Sequence, residues 1–350
     1  MVKRKDVAKL AGVSEATVSR VFNNVGPLRK KTIQKVRQAA EELGYRPNAI
    51  AQSFATGKAR NIGVVVPHVP KVNVFSTHYF SELLSGIGAK LGEVGYGLLL
   101  LFQPADAPKD YAELFLTQKI DGCIILGSKR TSGEIEALQK LHDFDFPYCL
   151  VNQTYPEYPF HFIDANHYEG SYQAVTLLIQ KGFEKVLFLN GPMEYSNSAD
   201  RLAGYQNALS KAGIRYVSEW IFEGNYSRKS GFQAAEKMGE FITDYPAVFA
   251  GNDRMAIGLI QGLNQQGYQA GKDYALIGYD DSDVSKMTTP SLSTVKVPLF
   301  DMGYLAAKRV LEQISSDEVG EIRDRLSVSV IERESSNLKP EKVRKTLGKY

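Results

Sequence analysis

Cysteine is nearly absent: the chain has two among 350 residues, each inside an apolar run, Gly-Cys123-Ile-Ile-Leu and Tyr-Cys149-Leu-Val. That excludes a disulfide framework and any Cys-x-x-Cys motif, and leaves two buried free thiols as the expectation. The five histidines, at 68, 78, 142, 161 and 167, show no paired spacing of the kind a metal site uses. Long apolar runs are missing too. The longest aliphatic stretch, Leu98 to Phe102, falls far short of a membrane span. The basic start Met1 to Asp6 leads into no apolar segment or small-residue cleavage site, so no signal peptide is expected and a reducing cytoplasm fits.

Catalytic signatures are equally scarce. No Gly-x-Ser-x-Gly elbow occurs. Gly86-Ile-Gly88-Ala-Lys-Leu-Gly92 has one residue too many for a dinucleotide fingerprint and lies in a helical stretch rather than after a strand, so it reads as close helix packing. Gly267 to Asp273 is one residue short of a phosphate loop and lacks its Ser/Thr, which leaves a surface turn. Neither an enzyme nor a cofactor nor a metal is expected.

Net charge is also low, at +3, but it is unevenly placed. Residues 1–60 hold 13 Lys+Arg against 4 Asp+Glu; residues 61–338 hold 24 against 34; residues 339–350 hold five against one. A +9 head on a −10 body, with a +4 tail, suggests a polyanion-binding module carried by a globular domain. The length leaves room for two or three domains.

In the head, Val7, Leu10 and Ala11 share a helical face, and Gly12 is placed to end that helix in a left-handed turn. Ser14 then stands as the N-cap of a second helix with Val18, Val21 and Phe22 as its inner face. A third amphipathic segment, Lys31 to Leu43, turns Ile33, Val36, Ala40 and Leu43 inward. The pattern is a helix-turn-helix whose second helix presents Glu15, Ala16, Thr17, Ser19 and Arg20 to a major groove. Arg20 can pair with guanine and Glu15 can accept from a cytosine amino group, while Thr17 and Ser19 suit phosphate. Lys5, Ser14, Asn23, Arg29, Tyr45 and Asn48 complete the expected contacts of the head. The following segment, 47–57, has Pro47 to end a helix, Asn48 to cap a new one and Gly57 to stop it. Its under two turns cannot stand alone, so only a partner can order them.

The run Asp6-Val7-Ala8 through Val18-Ser19-Arg20-Val21, then Leu43-Gly44-Tyr45-Arg46-Pro47-Asn48, and at the far end Ile331-Glu332-Arg333-Glu334-Ser335-Ser336, resembles the LacI/GalR family of bacterial transcription regulators. Lys3 departs from it, standing where the family has a capping threonine. The resemblance implies that 47–60 is a hinge helix, two copies of which pack in the minor groove and wedge a side chain between base steps. Phe54 takes the wedge position here, Gln52 replaces a frequent arginine, and Ala51 lies beside them.

Beyond Arg60, short aliphatic strands alternate with amphipathic stretches: strands at 62–66, 98–102, 122–126, 148–151, 186–189, 247–250, 275–277 and 292–295. Such alternation implies parallel sheets covered on both faces, and its restart near Asp164 implies two α/β lobes with a cleft at the strand carboxyl ends. The fold class is therefore α/β: a three-helix head plus a core of two doubly wound parallel-sheet lobes, which in the family is periplasmic-binding-protein-like. The divisions expected are a head at 1–46, a hinge at 47–60, a core at 61–337 and a basic tail at 338–350. Within the core, the family suggests lobe 1 at about 61–160 and 292–321, and lobe 2 at about 161–291 and 322–337. Motif matching implies that a sugar-like effector is gripped by Arg201, donates its hydroxyls to the Asp253 carboxylate and stacks on Tyr226, with Asn152, Tyr79, Phe80, Tyr195 and Asn197 around it. The Val69 to Thr77 segment is longer than the family pattern, which affects the first wall of that pocket. Asp280-Asp281-Ser282-Asp283 reads as a loop that caps a short helix.

The function expected is a homodimeric repressor on a near-palindromic operator, controlled by a small effector. Two other classes fit less well. A sugar-transport binding protein lacks a use for the basic head, and a sugar-modifying enzyme lacks its motifs.

Overall fold

The computed structural model describes residues 2–23, 25–46, 48, 57–68, 73–104, 107–316 and 320–339. Helices α1 (Arg4–Ala11), α2 (Glu15–Asn23) and α3 (Lys30–Glu42) enclose a small core of Val7, Ala8, Val18, Val21, Val36, Ala39 and Ala40. Gly12 ends α1 at φ +66°, and Ser14 Oγ accepts the Thr17 N–H at 3.1 Å, so turn and cap are formed as their residue types require. Leu10, expected on the inner face, is 47 % exposed; Ala8 takes its place because the face toward α2 and α3 runs through 7, 8 and 11. The hinge residues Ala51, Gln52 and Phe54 lie outside the described residues, as do 340–350 of the tail. Leu338 is buried and belongs to the core rather than to the tail.

The first lobe begins with β1 (Asn61–His68), α4 (His78–Val94), β2 (Gly97–Pro104), α5 (Ala112–Leu116) and β3 (Gly122–Leu126). It continues with α6 (Ser132–Asp143), β4 (Tyr148–Val151) and β5 (Phe162–Ala165). The second lobe contains α7 (His167–Gln180), β6 (Leu187–Asn190), α8 (Ser196–Lys211), β7 (Ile221–Glu223), α9 (Arg228–Gly239) and β8 (Ala247–Ala250). After these come α10 (Asp253–Gln265), β9 (Ala275–Asp280), α11 (Asp283–Met287) and β10 (Ser293–Lys296). The chain then returns through α12 (Leu299–Ser315) and β11 (Arg323–Leu326) to lobe 1, and ends in lobe 2 with β12 (Ser329–Ile331).

Each lobe is one six-stranded sheet, in the orders β11-β5-β4-β3-β1-β2 and β12-β10-β9-β8-β6-β7. All neighbours pair in parallel except β10 with β12. Strands buried on both sides explain the unbroken apolar runs: Val64 and Val66 face Leu83, Ile87 and Met302, whereas Val65 faces the opposite layer with Leu138 and Leu141. Cys123 and Cys149 are fully buried in this packing, free, and pushed upward in pKa by burial.

Sheet membership corrects the expected lobe boundaries. Residues 162–165 pair with β4 and β11 and so belong to lobe 1, 293–296 pair with β9 in lobe 2, and 323–326 pair with β5 in lobe 1. The three crossings thus fall after 165, 296 and 326, each at the carboxyl end of a strand. Strands β5, β7, β11 and β12 are absent from the sequence reading because they are three or four residues long and, as in Arg-Asp-Arg-Leu, not aliphatic.

The start of lobe 1 is tied to the linker. Asp121, just before β3, accepts the Ala59 N–H on Oδ1 and the Arg60 N–H on Oδ2, each at 2.7 Å.

Candidate functional sites: the recognition helix and the interlobe cleft

In the head, Lys5, Ser14, Glu15, Ala16, Arg20, Arg29 and Asn48 are exposed, and Thr17, Ser19, Asn23 and Tyr45 half-buried. Without DNA several are held by neighbours. Glu15 pairs with Arg4 at 3.3 Å, Arg20 Nε donates to the Val25 carbonyl at 3.3 Å, Asn23 donates to Ser19 Oγ at 3.2 Å, and Tyr45 packs against Phe22 at 5.7 Å between ring centroids. Arg29 is the residue preceding α3. Exposed ion pairs of the Arg4–Glu15 kind are weak enough for DNA to displace.

The cleft is built at the carboxyl ends of both sheets. Tyr79 and Phe80 open α4, where they meet edge to face at 4.9 Å. Asn152 follows β4 at φ +63° and reaches across to lobe 2: its Oδ1 lies 2.7 Å from His167 Nε2, and its carbonyl accepts from Asn197 Nδ2 at 3.4 Å. Tyr195 precedes α8, and Asn197 lies in the first turn of that helix rather than on the loop before it, because the helix starts at Ser196. Tyr226, at φ +63°, points its hydroxyl at Asn197 Oδ1 (3.0 Å), Ser198 Oγ and Arg201 Nη1 (3.1 Å).

Arg201 is 3 % exposed and has no carboxylate within ion-pair distance among the described residues. Its guanidinium lies 4.1 Å from the Tyr279 ring centroid and 5.8 Å from that of Tyr226, and Nη2 is 3.4 Å from His167 Nδ1. Cation–π contacts and hydroxyls therefore replace an acidic partner. His167 is neutral here. Its Nε2 faces the acceptor Asn152 Oδ1, its Nδ1 takes the Tyr279 hydroxyl at 3.1 Å, and burial beside Arg201 and Arg325 holds its pKa well below the usual value.

Asp253 does not face the cleft as expected. It is 1 % exposed; Oδ2 accepts Ser282 N and Oγ at 2.8 Å, and Oδ1 accepts Thr294 Oγ1 at 2.6 Å. Its position at the start of α10 points the carboxylate under the loop after β9, which it anchors. Asp280, at the end of β9 with φ +106°, lies instead near enough to Arg201 for the guanidinium to pull its pKa down against burial, and it lines a separate cavity of about 270 Å³ with His78 and Glu82 of lobe 1. Sequence reasoning assigned 280–283 to loop shaping, which holds for Asp281, paired with Arg333, but not for Asp280. Asp164, the third residue of β5, is a further carboxylate missed: 1 % exposed, with neither oxygen hydrogen-bonded among the described residues. A charged residue inside an aliphatic strand was the available signal. Burial raises Asp164 to about 7 and Asp280 to about 8, with Asp200 adding to the first and Asp253 to the second against the pull of nearby arginines.

These raised values make a pH prediction. Between the unfolded carboxylate pKa and about 8 the folded chain binds more protons than the unfolded one, so stability falls as pH rises through that window. Above pH 6.5 the buried histidines no longer oppose the trend. The ligand-free protein should melt roughly a few degrees lower at pH 8.5 than at pH 6.5. Asp280→Asn should flatten the slope; an equal slope in that variant would refute the assignment.

The comparisons agree with this construction. Residues 4–48 match the model of bacterial regulatory proteins, lacI family, and residues 175–336 match a periplasmic binding protein-like domain. The transcriptional repressor PurR of Vibrio vulnificus is 33 % identical over 320 residues, covering 91 % of this chain and 93 % of its own. The Lac repressor dimer bound to operator and an anti-inducer superposes with a TM-score of 0.82 at 28 % identity, covering 96 % of this chain and 99 % of that one. The transcriptional regulator CelR in complex with cellobiose gives 0.73 at 27 %, over 96 % and 100 %. The chain belongs to the lacI family of bacterial regulatory proteins. It is a DNA-binding transcriptional regulator with a two-lobed, periplasmic-binding-like core.

Proposed function

We propose that this chain is a cytoplasmic, non-catalytic repressor that binds a near-palindromic operator as a homodimer and answers to a small sugar-like effector held between its lobes. The observation that carries the effector reading is Arg201: a buried guanidinium without an acidic partner, set among Tyr226, Tyr279, His167 and Asn152 where the two lobes meet. Arg201, Tyr226, Asn152, Asn197, Tyr79, Phe80 and Tyr195 are the proposed effector residues, with Asp280 in the place first given to Asp253. The exposed face of α2 reads the major groove, and 47–60 acts as the hinge.

Dimerisation is supported by β2, an edge strand whose Leu98 and Phe102 are 38 % and 48 % exposed. An apolar edge of this kind asks for a cover. Effector control needs the lobes to move against each other. They are joined across the cleft by Arg130 N to the Glu194 carbonyl, Lys129 to the Glu194 carboxylate, and Thr154 N to Ser196 Oγ, at 2.8–2.9 Å. Asp121 passes motion of lobe 1 to the linker. A ligand shifts this equilibrium only by its differential affinity for the two arrangements, and a hundredfold preference is worth roughly 2.7 kcal/mol.

Selection from random-sequence duplexes should return a near-palindromic site. Affinity for that site should fall about 10³-fold or more between 50 and 200 mM salt if six or more phosphates are contacted. Salt-insensitive binding, or none, would return the transport-protein reading; turnover of a bound sugar would return the enzyme reading.

A further inference from the structure

The third passage between the lobes rests on β11, an edge strand of four residues whose only strand neighbour is β5. Two hydrogen bonds zip its start to β5, at the end of lobe 1 away from the cleft. The Phe162 N–H donates to the Ile322 carbonyl at 2.8 Å, and the Ile322 N–H donates to His161 Nδ1 at 3.1 Å. A side chain thus completes the ladder, and Ile322 is 4 % exposed, so its N–H has little water to turn to. An imidazole nitrogen accepts only through a free lone pair, which places the ring proton on Nε2 and keeps the ring neutral. A second proton on Nδ1 would set one N–H against another, and the bond would be lost.

The ring is half-buried and lines a cavity of about 330 Å³ with His142, Asp145, Tyr148, Gln313 and Ser316. The titratable and charged groups around it come from three sides. His142 and Tyr148 lie 5.9 and 5.2 Å away between ring centroids, Asp145 stands on the cavity wall, and Glu321 and Arg323 flank Ile322. From α12 come only Gln313 and Ser316, which do not titrate. Burial first, then the like charge of His142, hold the ring below the usual histidine pKa; Glu321 pulls it up and Arg323 pushes it further down. The folded ring therefore binds fewer protons than the unfolded one. Its contribution to stability is complete above about pH 6.5 and is lost as pH falls through the lowered value. What β11 holds extends beyond lobe 1: Arg325 lies 3.6 Å from Asp164 and 3.9 Å from Asp200 of lobe 2, and the Leu326 carbonyl accepts the Asn166 N–H at the first crossing.

We propose that His161 is an acid-sensitive fastener of the core: protonation at Nδ1 releases Ile322 and the start of β11 from β5, and so couples the arrangement of the lobes to pH, whichever effector the cleft takes. The test is hydrogen exchange of the full-length protein, followed over residues 320–328 between about pH 7.5 and pH 5 and corrected for the pH dependence of chemical exchange. In the wild type, protection should fall about tenfold or more on acidification. His161→Asn places a non-titrating acceptor oxygen near the position of Nδ1 and should stay protected throughout, whereas His161→Ala should lack protection throughout. Asp164, at the other end of the same pairing and raised to about 7, titrates in this range as well. It is present in every variant, so the difference between wild type and His161→Asn isolates the imidazole. His142→Gln removes the neighbouring like charge and should move the release to higher pH. Protection that is independent of pH in the wild type, retained in His161→Ala, or lost on acidification in His161→Asn as in the wild type would overturn the proposal. Should His161→Asn lack protection throughout, the His142→Gln midpoint decides: a shift upward supports the fastener, and an unmoved midpoint overturns it.

Discussion

Arg201→Ala should leave operator affinity within about twofold of the wild type and abolish the effector response. Truncating a buried charge is often ruinous because its partner is left unpaired, at a cost of about 3–5 kcal/mol. Among the described residues no carboxylate lies within ion-pair distance of Arg201, and its removal leaves the Tyr226 and Tyr279 hydroxyls and His167 Nδ1, all of which keep other partners. The loss is one of packing against Tyr279, and the fold should survive it. Arg201→Lys should not restore the response, since an ammonium cannot stack flat on Tyr279 while reaching Tyr226 and His167 together. The check is operator binding with and without the effector. An unchanged response would reject the cleft.

Gly86→Val should collapse lobe 1. A Cβ on Gly86 would lie 2.0 Å from the Phe300 carbonyl oxygen and 2.8 Å from Tyr304 N, both backbone atoms of α12. The contact is reciprocal: a Cβ on Gly303 would meet the Leu83 carbonyl of α4 at 2.2 Å. Replacing a helical glycine normally gains about 1 kcal/mol of propensity. Here the two helices would have to separate, and overpacking of even a methylene costs about 1–3 kcal/mol. The clash wins, and for valine the net destabilisation should exceed about 3 kcal/mol. Denaturant melts of wild type, Gly86→Ala and Gly86→Val should fall in that order; an unchanged midpoint for valine would show that α4 and α12 do not pack this closely.

Much of this molecule is legible in one dimension. Gly12 and Ser14 mark the turn of the head because only certain residues tolerate a left-handed turn or cap an N-terminus. Val64 to Val66 and Gly122 to Leu126 read as doubly covered strands because no polar residue interrupts them. Gly86 was read as close packing, and α12 lies there. Arg201 and Tyr226, both singled out from family motifs, come together from separate elements.

What was not legible depends on contacts between distant segments. Arg323 to Leu326 is a strand only because Phe162 to Ala165 stands beside it, and that pairing sets where the chain changes lobes. Asp253 and Asp280 are both acidic residues near strand ends, and nothing local ranks them. Ser282 and Thr294, 29 and 41 residues further on, claim Asp253 for the interior, and Asp280 is left facing the cleft. Periodicity, caps and charge are properties of neighbours along the chain, so the sequence by itself determined the helices, the main strands and the basic head. Which polar groups end up satisfied is a property of neighbours in space. Only the tertiary structure could decide that the Asp164 carboxylate and Arg201 Nε, among the described residues, remain without hydrogen-bond partners where the lobes meet.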